Sequence, residues 1–145
     1  MNNANHKALC LVALATLAVA IGARGSGPLD GSKWKVALIP TKETAARGEK
    51  AFVDQLIFED GKITSTACQT NGFTASAYSI DAKPALLNWK TEQTSTKQGM
   101  GKTQWSGSVQ FNRIEGKMTW HKADGTELEY SFSGERMVLD EPLPQ

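Results

Sequence analysis

The sequence predicts an all-β protein, an antiparallel up-and-down meander closing into a small barrel of about seven or eight strands. Three observations carry that prediction. Apolar and polar residues alternate with a period of two over several short stretches, most plainly from Thr103 to Val109, where Trp105 and Val109 interleave with Gln104, Ser106 and Ser108. Turn dipeptides punctuate the chain at Asp60-Gly61, Asn71-Gly72, Asn112-Arg113 and Asp124-Gly125. Long amphipathic helical patterns are missing, so a sheet with one apolar face per strand covers that face most easily by curling onto itself.

The chain opens with a polar stretch ending in Lys7, then an apolar run from Ala8 to Gly22, with Ala18-Val19-Ala20 as a small-residue cleavage pattern and a second option after Ala23. That run of about 15 residues is short for a membrane span, which needs roughly 20. Residues 1–23 therefore read as a signal peptide, residues 29–136 as one β-barrel domain and residues 137–145 as a flexible tail. The expectation is an exported protein, periplasmic or extracellular, with no stable membrane insertion after cleavage. Lys7-Ala8-Leu9 before Cys10 lacks the look of a lipoprotein cleavage site. Without the leader the chain carries 15 basic and 15 acidic residues. A neutral domain lacks the basic field that nucleic acid or an acidic membrane surface requires. Cys68 is then the single cysteine, which excludes an internal disulfide and leaves either burial or pairing with another chain.

The elements follow in order. Trp34, Val36 and Leu38 alternate with Lys35, Ala37 and Ile39 to give a first strand, ended by Pro40. Residues 41–52 are polar with helix formers around Glu43 to Arg47, a loop with a short helical turn over one end of the sheet. A two-residue turn at Asp60-Gly61 sets Glu59 opposite Lys62, Phe58 opposite Ile63 and Leu56 opposite Ser65. Residues 70–84 are rich in small residues and fit either a bulged strand or a loop. Leu87, Trp89 and Thr91 mark another strand, and residues 93–101 a polar connection. In the next hairpin an Asn112-Arg113 turn sets Phe111 against Ile114, Val109 against Gly116, Gly107 against Met118 and Trp105 against Trp120. A three-residue loop, Ala123-Asp124-Gly125, then sets Trp120 opposite Leu128, Met118 opposite Tyr130 and Gly116 opposite Phe132, with His121 opposite Glu127 outside. A one-residue slip there would turn an apolar face to water.

Gly31-Ser32-Lys33-Trp34 at the head of the first strand resembles the G-x-W opening of lipocalin-like (calycin) proteins, with one extra residue between Gly and Trp. Thr103 to Val109, followed by Trp120 and Asp124-Gly125-Thr126, is similar in layout to the avidin barrel, without avidin's polar ligand-binding set. Phe52, Asp54, Leu56, Phe58, Gly61, Lys62, Ser65 and Cys68, then Gly72-Phe73, Tyr78, Trp105, Gly107 and Asp124-Gly125-Thr126, resemble a pattern in small exported bacterial proteins of unassigned function. That resemblance implies export and a single domain over residues 29–136. It implies no activity.

Catalytic and metal chemistry find no footing in the residue pattern. His121 is the single histidine outside the leader, and its expected place opposite Glu127 is an outer-face charge pair. Cys68 with His121 is the one nucleophile–base combination, and nothing in their spacing brings them together. A metal site needs several converging ligands, more than one His and one Cys supply. The reading is a non-enzymatic protein without cofactor or metal. Trp34, Trp89, Trp105 and Trp120 all fall on the expected inner face, where indoles either fill the core or line a pocket. Together with Tyr78 and Cys68 at its mouth, they are the candidate ligand-binding residues, for a small apolar or aromatic molecule inside the barrel. The alternative is a protein-interaction module, an envelope accessory or protease-inhibitor-like barrel with a solid core and activity in its loops. Residues 42–50 and the C-terminal tail are then the candidate contact segments. A binder needs a cavity of roughly 300 Å³ or more. An interaction module needs an exposed apolar patch or a protruding segment.

Overall fold

The computed structural model of the chain describes residues 27–138. Eight antiparallel strands form a closed barrel in sequence order, with β8 pairing back onto β1. They are β1 (Ser32–Pro40), β2 (Phe52–Glu59), β3 (Lys62–Ser65), β4 (Ser76–Lys83), β5 (Leu86–Thr94), β6 (Lys102–Gln110), β7 (Arg113–His121) and β8 (Glu127–Arg136). Two short helices, α1 (Lys42–Ala46) and α2 (Thr66–Gln69), lie at one end, here the helix end. The β2–β3, β4–β5 and β6–β7 turns lie at the other, the turn end. The expected leader, residues 1–23, and most of the expected tail lie outside the described residues.

The alternation read from the sequence is the alternation of the wall. Along β1, Trp34, Val36 and Leu38 are buried and their neighbours exposed. The Asp60-Gly61 hairpin holds the expected register, Glu59 with Lys62 and Leu56 with Ser65. The last hairpin also holds, with Trp120 opposite Leu128 and Gly116 opposite Phe132. Lys122 N–H donates to the Thr126 carbonyl around the three-residue loop, and Gly125 takes the left-handed φ of 87° that the loop needs.

The β6–β7 hairpin corrects the expectation. The turn falls at Phe111-Asn112, not at Asn112-Arg113, so Val109 faces Ile114, Gly107 faces Gly116, Trp105 faces Met118 and Thr103 faces Trp120. Packing is the physical reason. With the glycines opposed, the wall carries no side chain at that point, and the rings of Phe132 and Trp89 press against it from inside. A Cβ on Gly107 would stand 2.9 Å from Phe132 Cζ and 3.2 Å from Trp89 Cε2. The inner face keeps its residues, while Phe111 leaves the strand and stands 84% exposed.

Other departures are local. β5 runs on through Gln93, which was expected in a polar connection and is instead buried. Its Nε2 donates to the carbonyls of Ile63 and Thr74, bridging β5 to β3 where the β3–β4 ladder has only two register pairs. At the start of the expected tail, Met137 N–H donates to the Lys33 carbonyl at 2.7 Å, so pairing with β1 outlasts the strand. Helix α1 lies where a helical turn was expected, and its buried Thr44 accepts from Glu129 N–H at 2.8 Å.

Helix α2 was not foreseen, and it explains the Asp54…Ser65…Cys68 spacing. Ser65 is its N-cap, accepting from Cys68 N–H. Buried Asp54 on β2 accepts from Ser65 Oγ, Thr66 Oγ1 and the N–H groups of Gln55 and Ala67. A carboxylate with this many donors fastens the helix into the barrel end. In this region the Asp54…Ser65…Cys68 spacing is a fastening.

Candidate functional site

The structure does not bring the six candidate residues into one site. Trp34, Trp89 and Trp105 stand in the barrel interior, each no more than 2% exposed. Phe58 and Phe132 fill the space between them, with ring centroids 5.2 Å (Phe58–Trp89), 5.8 Å (Trp89–Phe132) and 5.5 Å (Trp105–Phe132) apart. An eight-stranded barrel has room for side chains or one small ligand, and here side chains take the axis. The indole N–H of Trp34 donates to Ser32 Oγ at 2.8 Å and that of Trp105 to Thr103 Oγ1 at 3.3 Å. Among the described residues, Trp89 Nε1 is the buried side-chain polar atom without a partner.

Trp120 and Cys68 meet at the helix end, on a pocket of about 230 Å³ with Phe52, Met118, Tyr130 and Glu49. Tyr130 donates to Glu49 Oε2 at 2.8 Å, Trp120 Nε1 donates to the Met100 carbonyl, and Lys122 Nζ sits 4.9 Å from the Trp120 ring. Burial pushes the Cys68 thiol up to about 11, so it stays protonated at neutral pH and is a poor nucleophile. His121 lies on the outer wall, 3.1 Å from Glu127 and 3.0 Å from Gln104. Among the described residues no three His, Cys, Asp or Glu side chains converge.

Tyr78 acts as a latch. Its hydroxyl donates to Asp30 Oδ1 at 2.6 Å, and Asp30 Oδ2 accepts from Gly27 N–H at 2.9 Å and Gly61 N–H at 2.8 Å. Burial, then the hydrogen bond to Asp30, push the Tyr78 phenol upward, while that same hydrogen bond holds the Asp30 carboxyl below its ordinary range. One carboxylate thus ties the loop before β1 and the β2–β3 turn to β4.

The pocket with the strongest case for binding lies at the turn end and measures about 310 Å³. Its apolar lining is Leu29, Trp34, Leu86, Leu87, Val109 and Phe111, with Lys83 and Arg136 also on it. The fold positions each of these. Leu29 turns inward because its carbonyl accepts from both Ser32 N–H and Ser32 Oγ, and Ser32 in turn holds the Trp34 indole. Leu86 and Leu87 open β5, and Val109, one residue before the end of β6, lies opposite Leu87. Three turn residues other than glycine are held in the left-handed region, Asp60 at φ 52°, Ala85 at φ 60° and Phe111 at φ 54°, and the last two gather here. Both line this pocket. Strained backbone and an exposed aromatic gathered at one opening are features that binding sites concentrate.

A hollow of about 980 Å³ opens on the outer wall. It is an open saddle over outward side chains such as Ser79, Ser106 and Ser131, and at the opposed Gly107 and Gly116 it reaches the buried Trp89 and Phe132. Of the six sequence candidates, Trp34 alone lines the turn-end pocket. The residues the sequence reading missed carried two signals: the Leu86-Leu87 pair breaks a strict period of two, and Phe111 abuts a turn dipeptide. No protein-family model matches the chain, and neither a curated protein nor a solved structure matches it.

Proposed function

We propose that this is an exported, non-enzymatic barrel of lipocalin-like architecture that binds a small apolar or aromatic molecule at the turn end, not along the barrel axis. The observation that carries the reading is the pocket of about 310 Å³, floored by Trp34, Leu87 and Val109 and edged by exposed Phe111. Its size falls at the lower limit of ligand sites, which favours small ligands. The test is a fluorescence titration of the purified protein with N-phenyl-1-naphthylamine, a neutral probe that brightens in apolar surroundings. Saturable one-to-one binding is expected, weakened at least tenfold by Leu86→Asp, a half-buried rim change that leaves the core intact. No binding by the folded protein, or binding indifferent to Leu86→Asp, overturns the reading.

A second reading has its own observation. Ile39 and Val53 are 55% and 61% exposed on the outer wall, close to Ala37, which pairs with Val53. An exposed apolar patch of this kind fits a protein-interaction module. Ile39→Lys with Val53→Lys abolishes such an interaction and leaves probe binding untouched.

A further inference from the structure

We infer that the turn-end pocket selects small amphipathic anions, an apolar body carrying one carboxylate, sulfonate or phosphate. The inference rests on the binding reading above and adds the sign of the ligand's charge. Among the described residues, the charged side chains on the pocket's lining are Lys83 and Arg136, both cationic, and no carboxylate lines it. Among the described residues Arg136 takes part in no ion pair. Lys83 forms one ion pair among the described residues, with Asp81 at 3.9 Å, both side chains well exposed; such a pair is weak and leaves the ammonium free to turn to a ligand.

The two ends of the barrel differ in this respect. The helix-end pocket carries Glu49, and that carboxylate already accepts from Tyr130. The domain as a whole is close to neutral. The cations at the turn end are therefore a local arrangement and not the overflow of a basic surface. Their backbone anchors hold them at the rim. Lys83 ends β4 just before the strained Ala85, and Arg136 N–H donates to the Asn112 carbonyl, beside Phe111. An apolar body seated on Trp34 and Leu87 leaves its polar end at this rim. A charge there keeps its contact with water and avoids the desolvation cost of burial.

The experiment compares two probes with the same aromatic body. 1-Anilinonaphthalene-8-sulfonate carries a sulfonate; N-phenyl-1-naphthylamine does not. Two exposed charge pairs favour the anion by roughly three- to tenfold at low salt, and 1 M NaCl removes most of the difference by screening. In the double variant Lys83→Gln, Arg136→Gln the anion's advantage disappears and the two probes bind alike. Equal affinities in the unaltered protein, or a preference that survives in the double variant, overturn the anion inference and leave the binding reading standing. Failure of both probes to bind the folded protein overturns the binding reading itself. Co-sedimentation with phosphatidylcholine–phosphatidylglycerol vesicles, lost in the double variant, would make the anion a membrane headgroup and overturn the assignment to a small soluble molecule.

Discussion

Replacing Phe111 by glycine separates the two roles that the structure gives this residue. Phe111 is the first central residue of the β6–β7 turn, with φ 54°. Asn112 after it does not share the positive φ, and a turn with positive φ only at its first central residue is the type in which glycine is preferred there. A side chain in the left-handed region costs about 1–2 kcal/mol. Glycine's greater freedom in the unfolded chain takes back about 0.5–1 kcal/mol. Little packing is lost, because the ring is 84% exposed. Phe111→Gly is therefore expected to stabilise the fold by about 0.5–1 kcal/mol, a rise in Tm of about 2–4 °C for a domain of this size. The same change removes the aromatic edge of the pocket and weakens N-phenyl-1-naphthylamine binding by about fivefold, the equivalent of one aromatic contact. Thermal melts by circular dichroism and the probe titration, run on the same preparation, measure both. A Tm that falls by more than about 2 °C would mean that the ring packs against the body and the turn is not strained. An unchanged affinity would mean that the ring is no part of a site.

Other expectations follow from the same contacts. Gly116→Ala sets a Cβ 2.1 Å from the Ser106 carbonyl oxygen, so the β6 wall must move; a loss of about 2–3 kcal/mol in urea denaturation is expected. Asp54→Ala strands the donors of Ser65, Thr66 and Ala67 in or near the core and should cost about 3 kcal/mol, with amide exchange fastest in α2. Native Cys68 should react with Ellman's reagent only after unfolding. Its thiol is raised from an ordinary 9.0 to about 11, so the stability it supports is fully present below about pH 9 and lost as pH rises towards 11. The difference in stability between the parent and Cys68→Ala should therefore shrink by about 2–3 kcal/mol over that window in denaturation curves.

The barrel was legible because its strands obey one rule. Where a side chain faces the core, a slip of one residue exposes an entire face, so the Glu59–Lys62 and His121–Glu127 pairings could be written down from turn length and polarity alone. The Phe111–Asn112 turn was not legible. Shifting it by a residue on each strand leaves the same residues inside, so the pattern does not distinguish the two registers. The decision comes from Phe132 and Trp89, distant in sequence, which need the opposed Gly107 and Gly116. Helix α2 is held by Asp54 across the hairpin, a contact invisible to local propensity. The site was less legible for a related reason. Tryptophan on an inner face reads alike whether it packs or binds, and only the closeness of Phe58 and Phe132 decides that Trp89 and Trp105 pack. Trp34 differs because it sits at an end of the barrel, beside turns whose geometry periodicity does not report.

The most direct test uses the four tryptophan indole N–H resonances, assigned by single Trp→Phe variants, in ¹H–¹⁵N spectra recorded as N-phenyl-1-naphthylamine is added. Trp34 and Trp120 report from opposite ends of the barrel, and Trp89 and Trp105 from its interior. Binding at the turn end predicts a saturable shift of the Trp34 signal, together with the amides of Leu86, Leu87 and Val109, while Trp120 stays still. A shift of Trp120 with Trp34 unmoved, or spectra that do not change at all, would contradict it.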